Sequence, residues 1–70
     1  MEYKEINSSK LTKIGYNRDS LKMEVHFKNG HIYLHSEVPP SYYLECLVAA
    51  SIGKYYFNNI KEVFPYEIIA

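Results

Sequence analysis

The stretch VHFKNGHIYLH, residues 25–35, sets His26, His31 and His35 around an Asn-Gly pair, with Tyr33 among them and Glu24 just upstream. Imidazoles beside a carboxylate are the ingredients of a metal site or of acid–base catalysis. Rings flanked by Lys13, Lys22 and Lys28 are equally the ingredients of a face that stacks bases and meets phosphates. No HExxH and no paired Cys/His spacing accompanies them, so neither a metal nor a cofactor is expected. The functional candidates on this reading are Lys13, Lys22, Glu24, His26, Tyr33 and His35 as one binding face.

Other reactive types give less. Gly53-Lys54 resembles the end of a phosphate-binding loop, but the glycine-rich run and the hydroxyl residue after the lysine are missing, which argues against a nucleotide cofactor. Lys54 and Tyr55 remain as a secondary contact patch. Cys46 is the single cysteine, which rules out an intrachain disulfide and fits a reducing compartment. It reads as a small core hydrophobe on a helix rather than a nucleophile. Ser8, Ser9 and Asp19 form no triad with a histidine. An enzyme is not expected.

Seventy residues with eight tyrosines and three phenylalanines describe one domain whose small core leans on aromatic bulk. Eight basic and eight acidic residues cancel, so no broad phosphate-binding surface is expected. No secretory signal pattern and no apolar run of membrane-spanning length is seen, which gives a cytoplasmic expectation.

The elements that must position these side chains are legible from periodicity. LKMEVHFK alternates, with Leu21, Met23, Val25 and Phe27 on one side and Lys22, Glu24, His26 and Lys28 on the other, as in a half-buried strand. Asn29-Gly30 suits a two-residue type I′ turn. That turn sets Val25 opposite Leu34, His26 opposite Tyr33 and Glu24 opposite His35. Phe27, Val25, Ile32 and Leu34 then share the oily face, while Glu24, His26, Tyr33 and His35 share the wet one. LTKIGYN adds a further strand through the NRDS turn, placing Ile14 opposite Met23 and Lys13 opposite Glu24.

After SEVPP, the segment SYYLECLVAA has a helical stripe through Tyr43 and Cys46 or Leu47. KYYFNNIKEVF carries Tyr56, Ile60 and Phe64 at four-residue spacing, with Pro65 limiting the helix at Phe64. Asn58 and Asn59 are poor helix formers, expected to bond nearby backbone. The fold expected is α+β: a three-stranded antiparallel β-meander with two short C-terminal helices packed on one face.

Residues 6–69 resemble the KTSC domain, a family found at the C-terminus of some lysyl-tRNA synthetases and in free-standing bacterial and phage proteins. The resemblance is carried by Ile14-Gly15-Tyr16, Phe27-x-Asn29-Gly30, Val38-Pro39, GKYYFNNI at 53–60 and Pro65-Tyr66. Two departures stand out. The family's central Tyr-x-Tyr is Tyr33-Leu34-His35 here, and its Gly-Arg/Lys-Tyr-Phe-Asn has an extra tyrosine in GKYYFN. The resemblance implies a small α+β fold without established catalysis, and its synthetase connection implies RNA binding. Together these readings make residues 1–70 a single KTSC-like binding domain. Its expected role is protein interaction, with self-association through open sheet edges included, and the alternative is single-stranded RNA or tRNA binding on the Tyr/His face.

Overall fold

In a computed structural model of residues 1–70, the chain forms β1 (Glu2–Glu5), β2 (Leu11–Asn17), β3 (Lys22–Phe27), β4 (Ile32–His35), α1 (Pro40–Val48), α2 (Ile52–Asn59) and β5 (Tyr66–Ile68). The five strands make one antiparallel sheet in the order β1-β2-β3-β4-β5. The expected three-stranded meander is therefore corrected to five strands. β1 and β5 escape sequence reading because every residue in them is exposed. No alternation of burial marks such strands; backbone hydrogen bonds to β2 and β4 hold them.

The hairpin register also differs from expectation, by one residue. Val25 pairs with Tyr33, Met23 with His35, Glu24 with Leu34 and His26 with Ile32. The cause is a three-residue loop, Lys28-Asn29-Gly30, in place of a two-residue turn. The Phe27 N–H donates to the His31 carbonyl at 2.9 Å, and the Gly30 N–H donates to the Phe27 carbonyl at 3.0 Å. Gly30 alone takes the left-handed conformation in this loop, at φ 95°, as in a turn closed by a glycine bulge. Gly30→Ala should cost about 1–2 kcal/mol through that conformation alone, read as a lowered urea midpoint with an unchanged slope.

The slip exchanges the faces of β4. Tyr33 and His35 turn inward with Val25 and Met23, and Ile32 and Leu34 turn outward with His26 and Glu24. The inward choice is favoured because these rings find partners: Tyr33 lies 4.7 Å from Phe27, and His35 lies 5.4 Å from Tyr56. In β2 an irregularity between Leu11 and Lys13 flips the alternation, so that Leu11, Ile14 and Tyr16 all reach the core. Ile14 pairs with Val25 and Lys13 with His26 rather than with Met23 and Glu24.

Both helices cover the inner face. Leu11, Ile14, Met23, Val25, Val38, Cys46, Tyr56 and Ile60 are fully buried there, with Tyr16 and Tyr43 nearly so. Phe27, Leu47 and Phe64 pack around them, half-buried. Pro40 opens α1 at the first helical position. The Ser51 hydroxyl caps α2 by accepting the Lys54 N–H at 3.3 Å. α2 ends at Asn59 rather than at the expected Phe64, and the Lys61–Phe64 segment turns back toward β5. Asn59 bonds the Tyr55 carbonyl at 3.2 Å, the backbone use expected of it.

Candidate interaction surface

The predicted binding face is divided between the two sides of the sheet. Lys13, Lys22, Glu24 and His26 lie on the outer side, and Tyr33 and His35 on the inner side. On the outer side, Tyr3 of β1 takes the place expected of Tyr33. It sits over Gly15, where a Cβ would stand 2.5 Å from its ring, so only glycine admits this approach. The Tyr3 hydroxyl donates to Glu24 Oε2 at 3.1 Å, and His26 Nε2 is 2.9 Å from Glu24 Oε1. The Tyr3 and His26 rings meet edge to face at 5.8 Å, and Lys13 Nζ lies 5.1 Å from the Tyr3 ring centre. The hydrogen bond from Tyr3 to Glu24, together with burial and that carboxylate's charge, holds the Tyr3 phenol above its usual range. Glu24 thus occupies both neighbouring rings within the protein.

His35 is a core residue. It is fully buried, with Nε2 2.7 Å from the Tyr56 hydroxyl and Nδ1 3.3 Å from the Phe64 carbonyl. Burial pushes its pKa below the ordinary histidine value; the Phe64 carbonyl opposes that, and the positive Lys61 adds to it. His26 and His35 lie on opposite faces of the sheet, and no group of three or more His, Cys, Asp or Glu residues is arranged to hold a metal. The Cys46 thiol is buried and pushed up to about 12 by burial, unsuited to nucleophilic chemistry.

Lys54 and Tyr55 do not form one patch. The Tyr55 hydroxyl donates across to Glu45 Oε1 on α1 at 3.2 Å, whereas Lys54 is exposed. Lys54 lines a cleft of about 630 Å³ between the β1–β2 loop and the start of α2, with Ser9, Lys10, Gly53, Phe57 and Asn58. Lys10 Nζ lies 5.4 Å from the Phe57 ring centre, and no carboxylate lines the cleft.

The least guarded surface is the β4–β5 margin. Tyr66 stacks on Tyr33 at 4.7 Å and 14°, and Lys61 lies over both rings. Beyond them Tyr66, Ile68 and Ile69 are 39%, 54% and 48% exposed. The Ser36 N–H donates to the Pro65 carbonyl and the Ile69 N–H to the Ile32 carbonyl. Alternation along an antiparallel pair then points Glu67 toward β4 and the backbone groups of Tyr66 and Ile68 outward. Three residues give too little periodicity to mark β5 as a strand in the sequence. The opposite edge, β1, reads Glu-Tyr-Lys-Glu and is guarded by charge.

A five-stranded antiparallel meander with two helices on one face and open sheet edges defines a small α+β domain. Residues 7–64 match the KTSC domain family, and the chain belongs to it. It is 34% identical over 55 residues to an uncharacterised protein of Stutzerimonas stutzeri, covering 79% of this chain and 76% of that one. The crystal structure of a KTSC domain protein from Yersinia pestis superposes with a TM-score of 0.91 at 27% identity, covering 99% of this chain and 97% of the other. No helix is long and apolar enough to cross a membrane.

Proposed function

We propose that the domain is a protein-interaction module that takes an extended segment of a partner as a sixth strand on β5. The observation that carries this reading is the edge itself: Tyr66 and Ile68 present outward-facing backbone groups beside exposed apolar side chains, with Glu67 as the only charged residue of β5 where Glu2, Lys4 and Glu5 guard β1. The segment's chemistry follows from the register. Residues flanking Tyr66 and Ile68 on the inner side are apolar, and the residue opposite Glu67 is basic. Self-pairing is disfavoured, because aligning Tyr66 with Ile68 of a second copy sets Glu67 directly against Glu67.

The test is fluorescence anisotropy with a library of labelled hexapeptides alternating β-branched and basic residues. Ile68→Pro deletes one outward N–H without touching the Glu67 pairing to β4. It should weaken the selected peptide about five- to tenfold, the worth of one hydrogen bond. Binding that is unaffected by Ile68→Pro would refute edge pairing.

A second reading, single-stranded RNA, is supported by the acid-free cleft with Lys10, Lys54 and Phe57 rather than by the Tyr/His face. It requires affinity that falls steeply with salt and disappears in a Lys10→Glu, Lys54→Glu double variant.

A further inference from the structure

We propose that the Phe64–Ala70 segment, which carries β5, is a pH-sensitive latch: a neutral His35 holds it on the sheet, and a proton on His35 releases it. The functional consequence rests on the reading of β5 as a docking edge, since release withdraws that edge in acid. His35 stands at the joint between the core and this segment, and its ring is fully buried. Nδ1 donates to the Phe64 carbonyl at 3.3 Å, and the Tyr66 ring lies 5.2 Å away, so two of its neighbours belong to the segment. The next residue of the chain, Ser36, donates its N–H to the Pro65 carbonyl at 2.9 Å. From the core side, α2 supplies the Tyr56 hydroxyl at 2.7 Å and β3 supplies Met23, the register partner of His35. Neither carries a negative charge. The charge that reaches the imidazole is the positive Lys61, while Glu62 beside it is exposed and paired with Lys61 at 2.9 Å. A proton on His35 therefore creates a buried cation that no carboxylate balances, and water must reach it.

Burial decides which neighbour gives way. Met23 and Tyr56 are fully buried, and moving either breaks the core. The segment is held by a three-residue strand whose residues are all exposed, by the Ser36 bond and by the Ile69 N–H on the Ile32 carbonyl. Short, exposed elements of this kind open locally ahead of the core. His31 also touches the segment, with Nδ1 donating to the Ala70 carbonyl at 3.1 Å. An imidazolium keeps that donor, so titration of His31 does not undo the contact.

The test is amide exchange of the free domain at pH 7.5 and 5.5, each rate divided by the intrinsic rate at that pH. Ser36 and Ile69 report the latch; Ile6, whose N–H donates to the Thr12 carbonyl beside the opposite edge, is the control. An imidazole protonated only in the open form, at the ordinary pKa of about 6.5, raises the open population by up to about tenfold over that interval. Protection of Ser36 and Ile69 should fall by up to that factor, protection of Ile6 should not, and His35→Gln should hold all three constant. Unchanged protection of Ser36 and Ile69 in the parent would overturn the proposal. So would an equal fall at Ile6, which means that acid unfolds the whole domain, or a fall that persists in His35→Gln. No peptide enters this experiment, so a failure of peptide docking leaves its outcome standing.

Discussion

Tyr56→Ala should leave the domain unfolded at 25 °C. Tyr56 is fully buried, meets Phe27, His35 and Phe57 edge to face, and donates its hydroxyl to His35 Nε2. Truncating a buried aromatic side chain to alanine costs about 3–5 kcal/mol. The cut also strands the buried His35 nitrogen, adding about 1–3 kcal/mol. A domain of this size has net stability on the order of 5 kcal/mol. Loss therefore equals or exceeds reserve. Tyr56→Phe keeps the ring and loses only the hydrogen bond, so it should remain folded with stability lower by about 1–3 kcal/mol. Urea titrations followed by circular dichroism separate the two: no folded baseline for the alanine variant, a shifted midpoint for the phenylalanine one. An alanine variant with near-parental stability would mean that Tyr56 is not the centre of the core.

Acidification should destabilise the domain through His35, the hydrogen-bond partner of Tyr56. With Nδ1 donating to the Phe64 carbonyl, His35 Nε2 accepts the Tyr56 hydroxyl proton, and protonating Nε2 would reverse that bond and take the acceptor away from the buried Tyr56 hydroxyl. Lys61 contributes repulsion from nearby, while the rings of Tyr56 and Tyr66 face the imidazole and supply no compensating charge. The sign follows from linkage. The folded-state pKa lies below the unfolded value of about 6.5, so the unfolded chain binds the proton more readily. The contribution is complete above about pH 6.5 and is lost as the pH falls toward the folded value, at up to about 1.4 kcal/mol per pH unit. Melting temperatures measured from pH 7.5 to 5 should fall, and His35→Gln should flatten that dependence over the same window. A parental protein with pH-independent melting there would contradict a buried, neutral His35.

The sequence revealed some of this and hid the rest for identifiable reasons. Strong alternation in LKMEVHFK disclosed β3, and helical spacing disclosed Tyr43, Cys46, Tyr56 and Ile60 as core residues. Asn29-Gly30 disclosed a hairpin but not its loop length, because Gly30 serves a three-residue glycine-bulge loop as readily as a type I′ turn. One residue of register then moved Tyr33 and His35 from the wet face to the inner one, with His35 fully buried and Tyr33 half-buried. By apolar content alone Ile32 and Leu34 suit the inner face better than Tyr33 and His35, so hydrophobic pattern points to the wrong register. The choice depends on Tyr56, distant in sequence, supplying the hydroxyl that satisfies a buried imidazole. The edge strands were hidden because nothing in them is buried. Tyr3 was missed in the candidate site for the same reason; its only mark is a tyrosine among charges in EYKE.

The claim that β5 is the docking edge is tested most directly by amide hydrogen exchange with and without the selected hexapeptide. In the free domain, Glu67 and Ile69 should be protected by their bonds to β4, while Tyr66 and Ile68 exchange as open amides. On peptide binding, Tyr66 and Ile68 should become protected and the β1 amides of Tyr3 and Glu5 should not change. Peptide bound at saturation with Tyr66 and Ile68 still exchanging freely would contradict the account.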